Sequence, residues 1–245
     1  MKISAVQFQP IAGGIASNVA KHLAFIELAI AQDVDLIFFS ELSLTGYEPH
    51  LARAIASHKN DPRFDVFQQY NDLHEMTIGV GLPLLAGSQV QIGMIWFTPN
   101  APRQTYAKQQ LHTDELPFFV PGDQQLVLKT ADHTLAPAIC YESLQPSHAE
   151  QVAKLGVDVY LASVAKSAGG MEKAMRHYPT IARKHSMYIL MANCVGTCDN
   201  FMSVGQSAVW NNQGELLIQM DRESEGMVMV DTIRGNAEIY ALANV

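Results

Sequence analysis

Every strongly apolar run in this chain is short. LIFF, from Leu36 to Phe39, and YILMA, from Tyr188 to Ala192, are the longest candidates. Both fall far below the roughly 20 residues that a membrane helix needs, and both have the length of strands covered on two faces. Segments with helical spacing lie between such runs. A chain of this kind buries sheets and places helices outside them.

The pattern can be followed along the sequence. Residues Ile3 to Phe8 alternate and meet Pro10, which suits a strand, and Ser17 is a suitable N-cap for a helix whose apolar face is Val19, Leu23, Ile26 and Ile30. DLIFFS, Asp35 to Ser40, reads as a fully covered strand that stops at Glu41. Asp61-Pro62 is a cap and first-turn pair, with Phe64, Phe67 and Leu73 on the buried side of the helix that follows, and TIGVGL is the next strand. VQIGMIWFTP and RQTYAK flank the turn-prone PNAP as a hairpin, and LVLKT pairs with HTLAPAIC around Ala131 and Asp132. Beyond Cys140 the spacing predicts a helix over Ser147–Leu155, the strand VDVYLAS, a long amphipathic helix over Gly170–Met187 and the strand YILMANC. The tail reads as strands SAVWN, ELLIQM and GMVMVDTI with turns between them. No repeat or Pro/Gly/Ser-rich linker divides the chain, so residues 1–245 are expected to form one domain.

Composition removes several function classes. A net charge of -8 and a pI near 5.5 argue against binding a phosphate backbone, which calls for a basic face. The amino end reads as a strand and lacks the apolar segment of a secretion signal. Three cysteines in 245 residues do not describe a disulfide framework, so the expected compartment is the reducing cytoplasm. Neither a nucleic acid nor a membrane is an expected partner.

Three segments place a polar residue where a strand ends: FFSELSLTGY around Glu41, TYAKQQLH around Lys108 and PAICYES around Cys140. Such positions are held rigidly by the sheet while the next loop opens to solvent. Taken singly, the cysteine reads as a small buried hydrophobe, the glutamate as a solvated loop residue and the lysine as surface. Together they pose a definite chemistry. A thiol of ordinary pKa is only a few per cent thiolate at neutral pH, so a cysteine nucleophile needs a base and a positive neighbour. Glu41 can supply the base. Lys108 can keep that carboxylate ionised and stabilise the oxyanion of a tetrahedral intermediate. The set calls for no metal and no cofactor.

SELSLTGY, TYAKQQLH and AICYES, in that order, resemble the three signature segments of the nitrilase superfamily, the carbon-nitrogen hydrolases. AVQFQP, GVGLP, PGD at Pro121–Asp123, MANCVG and GQSAVWNNQGELL are similar to family landmarks in the expected order. The resemblance implies a four-layer αββα sandwich of α/β class. It implies that Glu41 is the general base, Cys140 the nucleophile and Lys108 the cationic partner, with the backbone N–H of Tyr141 at the oxyanion. Glu115 is the candidate for a second glutamate beside the substrate, and Tyr47, Tyr141, Ser163 and Val164 are candidates for its binding pocket. The implied activity is hydrolysis of a small amide or carbamoyl compound through a cysteine thioester, in a homodimer packed through the helices after Cys140. Acyl transfer to an amine acceptor, or an idle fold that only binds, are the alternative functions. Two departures stand out: Ser40-Glu41 replaces the usual Pro-Glu, and Leu144 stands where many members carry an arginine.

Other motifs are weaker. Ser163-Val-Ala-Lys166 matches the S-x-x-K serine-nucleophile pattern without its companion segments. Cys194 and Cys198 lack a second pair at zinc-ligand spacing. The Gly-Gly pairs at Gly13 and Gly169 open no phosphate-binding motif.

Overall fold

The computed structural model describes residues 1–242. In chain order its elements are β1 (Lys2–Gln7), α1 (Ile15–Ile30), β2 (Leu36–Phe38), α2 (Ala52–Ile55), α3 (Asp65–His74), β3 (Thr77–Ala86), β4 (Gln89–Phe97), β5 (Gln104–Ala107), β6 (Leu128–Lys129), β7 (Thr134–Ile139), α4 (Pro146–Lys154), β8 (Val159–Val164), α5 (Ala168–His185), β9 (Tyr188–Asn193), β10 (Val195–Cys198), β11 (Phe201–Val204), β12 (Ala208–Trp210), β13 (Leu216–Gln219), β14 (Gly226–Asp231) and β15 (Asn236–Ala241).

Two sheets form, in the orders β15-β14-β1-β2-β3-β4-β5 and β13-β12-β9-β8-β7-β6, with β10-β11 as a separate hairpin. The middle of each is parallel: β1, β2 and β3 in one, β7, β8 and β9 in the other. Their neighbours run antiparallel. Alternate side chains of one strand therefore enter different cores. Ile3 and Ala5 of β1 meet Leu135, Val159 and Leu161 between the sheets. Val6 faces the helix layer with Phe25 and Ile26 of α1 and Phe67 of α3. On the far side, Tyr160, Ala162 and Val164 of β8 pack with Met171, Ala174, Tyr178, Ile181 and Ala182 of α5. The layers are helix, sheet, sheet, helix, which is the αββα arrangement that the motifs imply. Among the described residues no helix is long and apolar enough to cross a membrane.

Local expectations differ in instructive places. α1 begins at Ile15 behind Gly14, so Ser17 lies inside the helix and caps nothing. Asn18 organises this end instead: its Oδ1 accepts from Ile11 N at 2.8 Å and its Nδ2 donates to the carbonyls of Ile11 and Leu44. The fully buried stripe is Ile15, Asn18, His22, Phe25, Ile26 and Ala29, while Val19, Leu23 and Ile30 flank it half-buried. Asp61 caps a short 3-10 turn, Pro62–Phe64, before α3 starts. Leu73 is 76% exposed rather than buried. Asn71 occupies the inner face instead, donating to the carbonyls of Met76 and Phe97. The long helix after β8 starts two residues earlier than its spacing predicts, at Ala168, and ends at His185. α2, β15 and the β10-β11 hairpin carry no strong periodicity and are added by the structure.

Candidate active site

Glu41, Lys108 and Cys140 each sit just beyond a strand, after β2, β5 and β7. The β2 and β7 ends are the carboxyl ends of parallel strands, where open α/β sheets leave a crevice. The structure brings the three together in the interior.

Cys140 stands at the tightest point. Its backbone adopts φ +44°, a left-handed conformation that costs a residue with a Cβ about 1–2 kcal/mol. Surrounding bonds hold it there. Its N–H donates to Ser163 O at 3.0 Å, and its carbonyl accepts from the N–H of Ser143 and, at 2.6 Å, from the Ser143 hydroxyl. The thiol donates to Ala165 O at 3.5 Å. The chain then enters a 3-10 turn, Glu142–Leu144.

Lys108 is fixed by its own backbone. Its N–H donates to Ile92 O and its carbonyl accepts from Gly122 N, both at 2.8 Å. A Cβ on Gly122 would lie 2.4 Å from Ala107 O, so only glycine lets the PGD segment close over the lysine. The side chain is fully buried, with Nζ 2.7 Å from Glu41 Oε1 and 2.6 Å from Glu115 Oε1. Burial alone would push the ammonium down, but Glu41, Cys140 and Glu115 together hold it above the usual lysine value. Glu115 also accepts from the Tyr47 hydroxyl at 3.0 Å and from His112 N at 2.7 Å. Burial beside these carboxylates keeps the Tyr47 phenol protonated.

Glu41 is set in a tight turn where Ser43 N donates to Ser40 O. The turn is propped from outside by His22 of α1. Its Nδ1 lies 2.6 Å from Asn18 O and its Nε2 3.0 Å from Ser43 Oγ. Burial pushes this imidazole down to about 3, so it is neutral. A carbonyl can only accept, which makes Nδ1 the donor and Nε2 the acceptor of the Ser43 hydroxyl proton. Burial raises the Glu41 carboxyl to about 7 against the pull of Lys108. Its Oε2 is buried without a hydrogen-bond partner among the described residues, and the neighbouring thiol helps to hold the carboxylate charged. Burial and the Glu41 charge push the Cys140 thiol up to about 11, while Lys166 and Lys108 pull it down. The resting sulfur is protonated, and the Glu41 carboxylate that Lys108 holds through Oε1 keeps Oε2 for its proton.

A cavity of about 670 Å³ opens on Lys108, Glu115 and Cys140, while Glu41 is not among its lining residues. Tyr47, Tyr141, Glu115 and Leu144 line it. Leu144 thus gives an apolar wall at the position where an arginine is common among the proteins that the motifs resemble. Ser163 and Val164 do not line it. The strand alternation sends the Ser163 hydroxyl across to Phe39 O at 2.8 Å and Val164 into the helix-side core. Ala165, Lys166 and Ser167, just past the end of β8, take their place. The S-x-x-K pairing fails for the same reason, because the serine is bound elsewhere.

Two further residues touch the site without having been assigned to it by the sequence. Glu142 accepts from Ile139 N and the Tyr106 hydroxyl through Oε1, both at 2.7 Å, and from Gln109 N and Gln110 N through Oε2. It thereby ties the segment after Lys108 to the strand that carries Cys140. Its place beside Cys140-Tyr141 was the available clue. Lys166 lies 3.9 Å from the Cys140 sulfur, and the S-x-x-K pattern drew attention to it for a different chemistry. Cys194 and Cys198 are free thiols whose sulfurs lie 3.5 Å apart.

Comparisons with known proteins agree with this architecture. An amidase of the nitrilase superfamily from Nesterenkonia sp. AN1 superposes with a TM-score of 0.86 at 22% identity, covering 94% of this chain and 90% of that one. A CN-hydrolase superfamily protein from Xanthomonas campestris gives 0.85 at 20% identity, covering 94% and 89%. At these identities the likeness is one of fold. By sequence, the chain is 26% identical to a glutamine-dependent NAD(+) synthetase of Acinetobacter baylyi, over 89% of this chain and 41% of that protein. It is 25% identical to a probable nitrilase of Schizosaccharomyces pombe, over 92% and 86%. The chain spans less than half the length of the synthetases it matches. The carbon-nitrogen hydrolase family model matches residues 2–239, nearly the whole of the described fold, and on that ground the chain belongs to the carbon-nitrogen hydrolase family.

Proposed function

We propose that this protein hydrolyses the carbon-nitrogen bond of a small amide through a thioester on Cys140. The observation that carries the reading is the buried constellation itself: one ammonium, Lys108 Nζ, held within 2.7 Å of two carboxylates, beside a thiol on a strained backbone at the floor of a cavity. Glu41 Oε2 takes the thiol proton as the sulfur bonds to the amide carbon. The developing oxyanion is received by Lys108 and by the Tyr141 N–H, which makes no backbone hydrogen bond among the described residues. Collapse breaks the C–N bond, and the proton on Glu41 passes to the leaving nitrogen. Water then gives a proton to Glu41 and its oxygen to the acyl carbon, and the acid departs as the sulfur regains a proton. Glu115, anchored by Tyr47 and His112, fixes the ammonium and places its carboxylate on the cavity wall.

The cavity supports a preference for amides that carry an anionic group. Lys173 and Arg176, one turn apart on α5, line it together with Asp114 and Glu115, and the ion pair that α5 makes with Glu150 uses Lys184 instead. The test is ammonia release from matched amides, neutral and carboxylate-bearing, with glutamine included because the synthetase relatives are glutamine-dependent. Turnover of at least one amide by the wild type and none by Cys140→Ala is the expected result. Full turnover by Cys140→Ala would refute the assignment.

A further inference from the structure

Lys166 is a buried cation that the steps above leave without a task. Its residue is 3% exposed, and no carboxylate of the described residues lies within ion-pair distance of it, whereas Lys108 has two. A buried ammonium without a counterion is costly, so something must hold it in place. Its backbone is held at both ends: its N–H donates to Asn193 Oδ1 at 2.8 Å, and its carbonyl accepts from Asn193 Nδ2, Ser203 Oγ and Val204 N. Its stem runs past Gly170 in the first turn of α5, where an added Cβ would lie 3.3 Å from Lys166 Cβ and 3.5 Å from Cγ. The stem delivers Nζ to 3.5 Å from Cys140 O and 3.9 Å from Cys140 Sγ.

The charge at this point explains why a second ammonium belongs there. Lys108 Nζ is engaged by two carboxylates, and passing the thiol proton to Glu41 moves one negative charge from a carboxylate that Lys108 contacts at 2.7 Å onto the sulfur, where Lys166 Nζ lies 3.9 Å away. We propose that Lys166 is a fourth catalytic residue, whose ammonium receives the Cys140 sulfur as a thiolate whenever the sulfur carries charge. The inference rests on Cys140 being the nucleophile. In acylation the S–H bond breaks, its proton goes to Glu41, and the S–C bond forms from the thiolate paired with Lys166. In deacylation the tetrahedral intermediate expels the sulfur with its electron pair toward the same ammonium, and Glu41 then returns the proton. Burial holds the Lys166 ammonium below the usual lysine value; Cys140 and Glu41 oppose this and Lys108 adds to it. The other titratable groups around the sulfur are Glu41 after β2, Tyr47, Lys108 after β5, Glu115 in the next loop, and His177 and Tyr178 of α5. Burial and the Lys166 charge both push His177 down, so its neutral ring does not compete for this role.

The test reads the sulfur directly. The intact protein is alkylated with iodoacetamide across a pH series, and modification of each cysteine is followed by mass spectrometry. In Lys166→Met the midpoint for Cys140 should rise by about one pH unit, with alkylation near neutral pH slowed about tenfold. Lys166→Arg should retain most of the wild-type rate. A midpoint that does not move in Lys166→Met overturns the proposal. Should that variant fail to fold, Gly170→Ala decides, since alanine favours the helix by about 1 kcal/mol while crowding the lysine stem. Slower alkylation of Cys140 in a more stable protein supports the proposal, and unchanged alkylation overturns it. If wild-type Cys140 reacts no faster than the buried Cys194 and Cys198, the nucleophile assignment itself fails, a result distinct from losing Lys166 alone.

Discussion

Glu41 works under opposed forces. Burial favours its neutral acid and Lys108 favours its carboxylate, and the balance near 7 lets one group take a proton and give it back at neutral pH. The base form exists above that value, so the rate of acylation should fall as pH drops through about 7 and level off above it. A pH profile of kcat/KM measures this, and an acid limb near the ordinary carboxylate value would count against Glu41 as the base. Glu41→Gln retains the size and removes the base, and kcat should fall by about 10²-fold or more. Cys140 shows the complementary case. Its thiol is held protonated at rest by burial, which protects it until a substrate and its two cationic neighbours share the charge. Leu144 belongs to this scale too, as an apolar side chain on the cavity wall.

The turns and strand ends decide whether these residues meet. Gly81 of β3 packs under the Glu41 turn so closely that a Cβ would lie 2.7 Å from Leu42 N and 2.8 Å from Ser40 O. Gly81→Ala should therefore displace Glu41 and lower kcat by an order of magnitude or more, although no reacting group is altered; steady-state kinetics beside a thermal melt measures it. Glu142 acts between elements. Burial raises its carboxyl, and the donors from Ile139, Tyr106 and Gln109 pull it back. Glu142→Gln replaces an acceptor of four donors by a group with a single acceptor oxygen. It should cost about 2 kcal/mol in urea denaturation and loosen Lys108 relative to Cys140, so that kcat falls more than KM changes.

At the scale of the molecule, the two sheets face each other with a parallel centre in each, and the reactive groups come from both. Glu41 and Lys108 follow strands of the first sheet, and Cys140 and Lys166 follow strands of the second. Anything that slides one sheet over the other should therefore weaken activity before it unfolds either sheet. α4 and α5 form an outer layer, and the family resemblance leads us to propose a homodimer through that layer. Light scattering at micromolar protein concentration should give twice the chain mass of 26.9 kDa, and a monomeric mass would reject the proposal. If Lys173 and Arg176 on the cavity lining draw in anionic amides, turnover of carboxylate-bearing amides should weaken with added salt more than turnover of neutral ones.

Much of this was legible without coordinates, for a physical reason. Strands covered on both faces must be short and apolar, and a polar residue that ends such a strand has few places to go. DLIFFS-Glu41, TYA-Lys108 and PAI-Cys140 therefore declared both the elements and three of the four polar groups at the centre of the site. The spacing of α5 was visible, but not its exact start. Sequence pattern misled where one side chain could substitute for another, as with Ser17 against Asn18 and Leu73 against Asn71. A local period records polarity, whereas hydrogen bonds to distant carbonyls chose the residue. Only the packed sheets decided that Ser163 turns to Phe39, that Glu142 joins two loops, and that Lys166 meets a sulfur 26 residues before it. Those contacts join positions far apart in the chain, and their geometry exists only once both sheets are buried against each other.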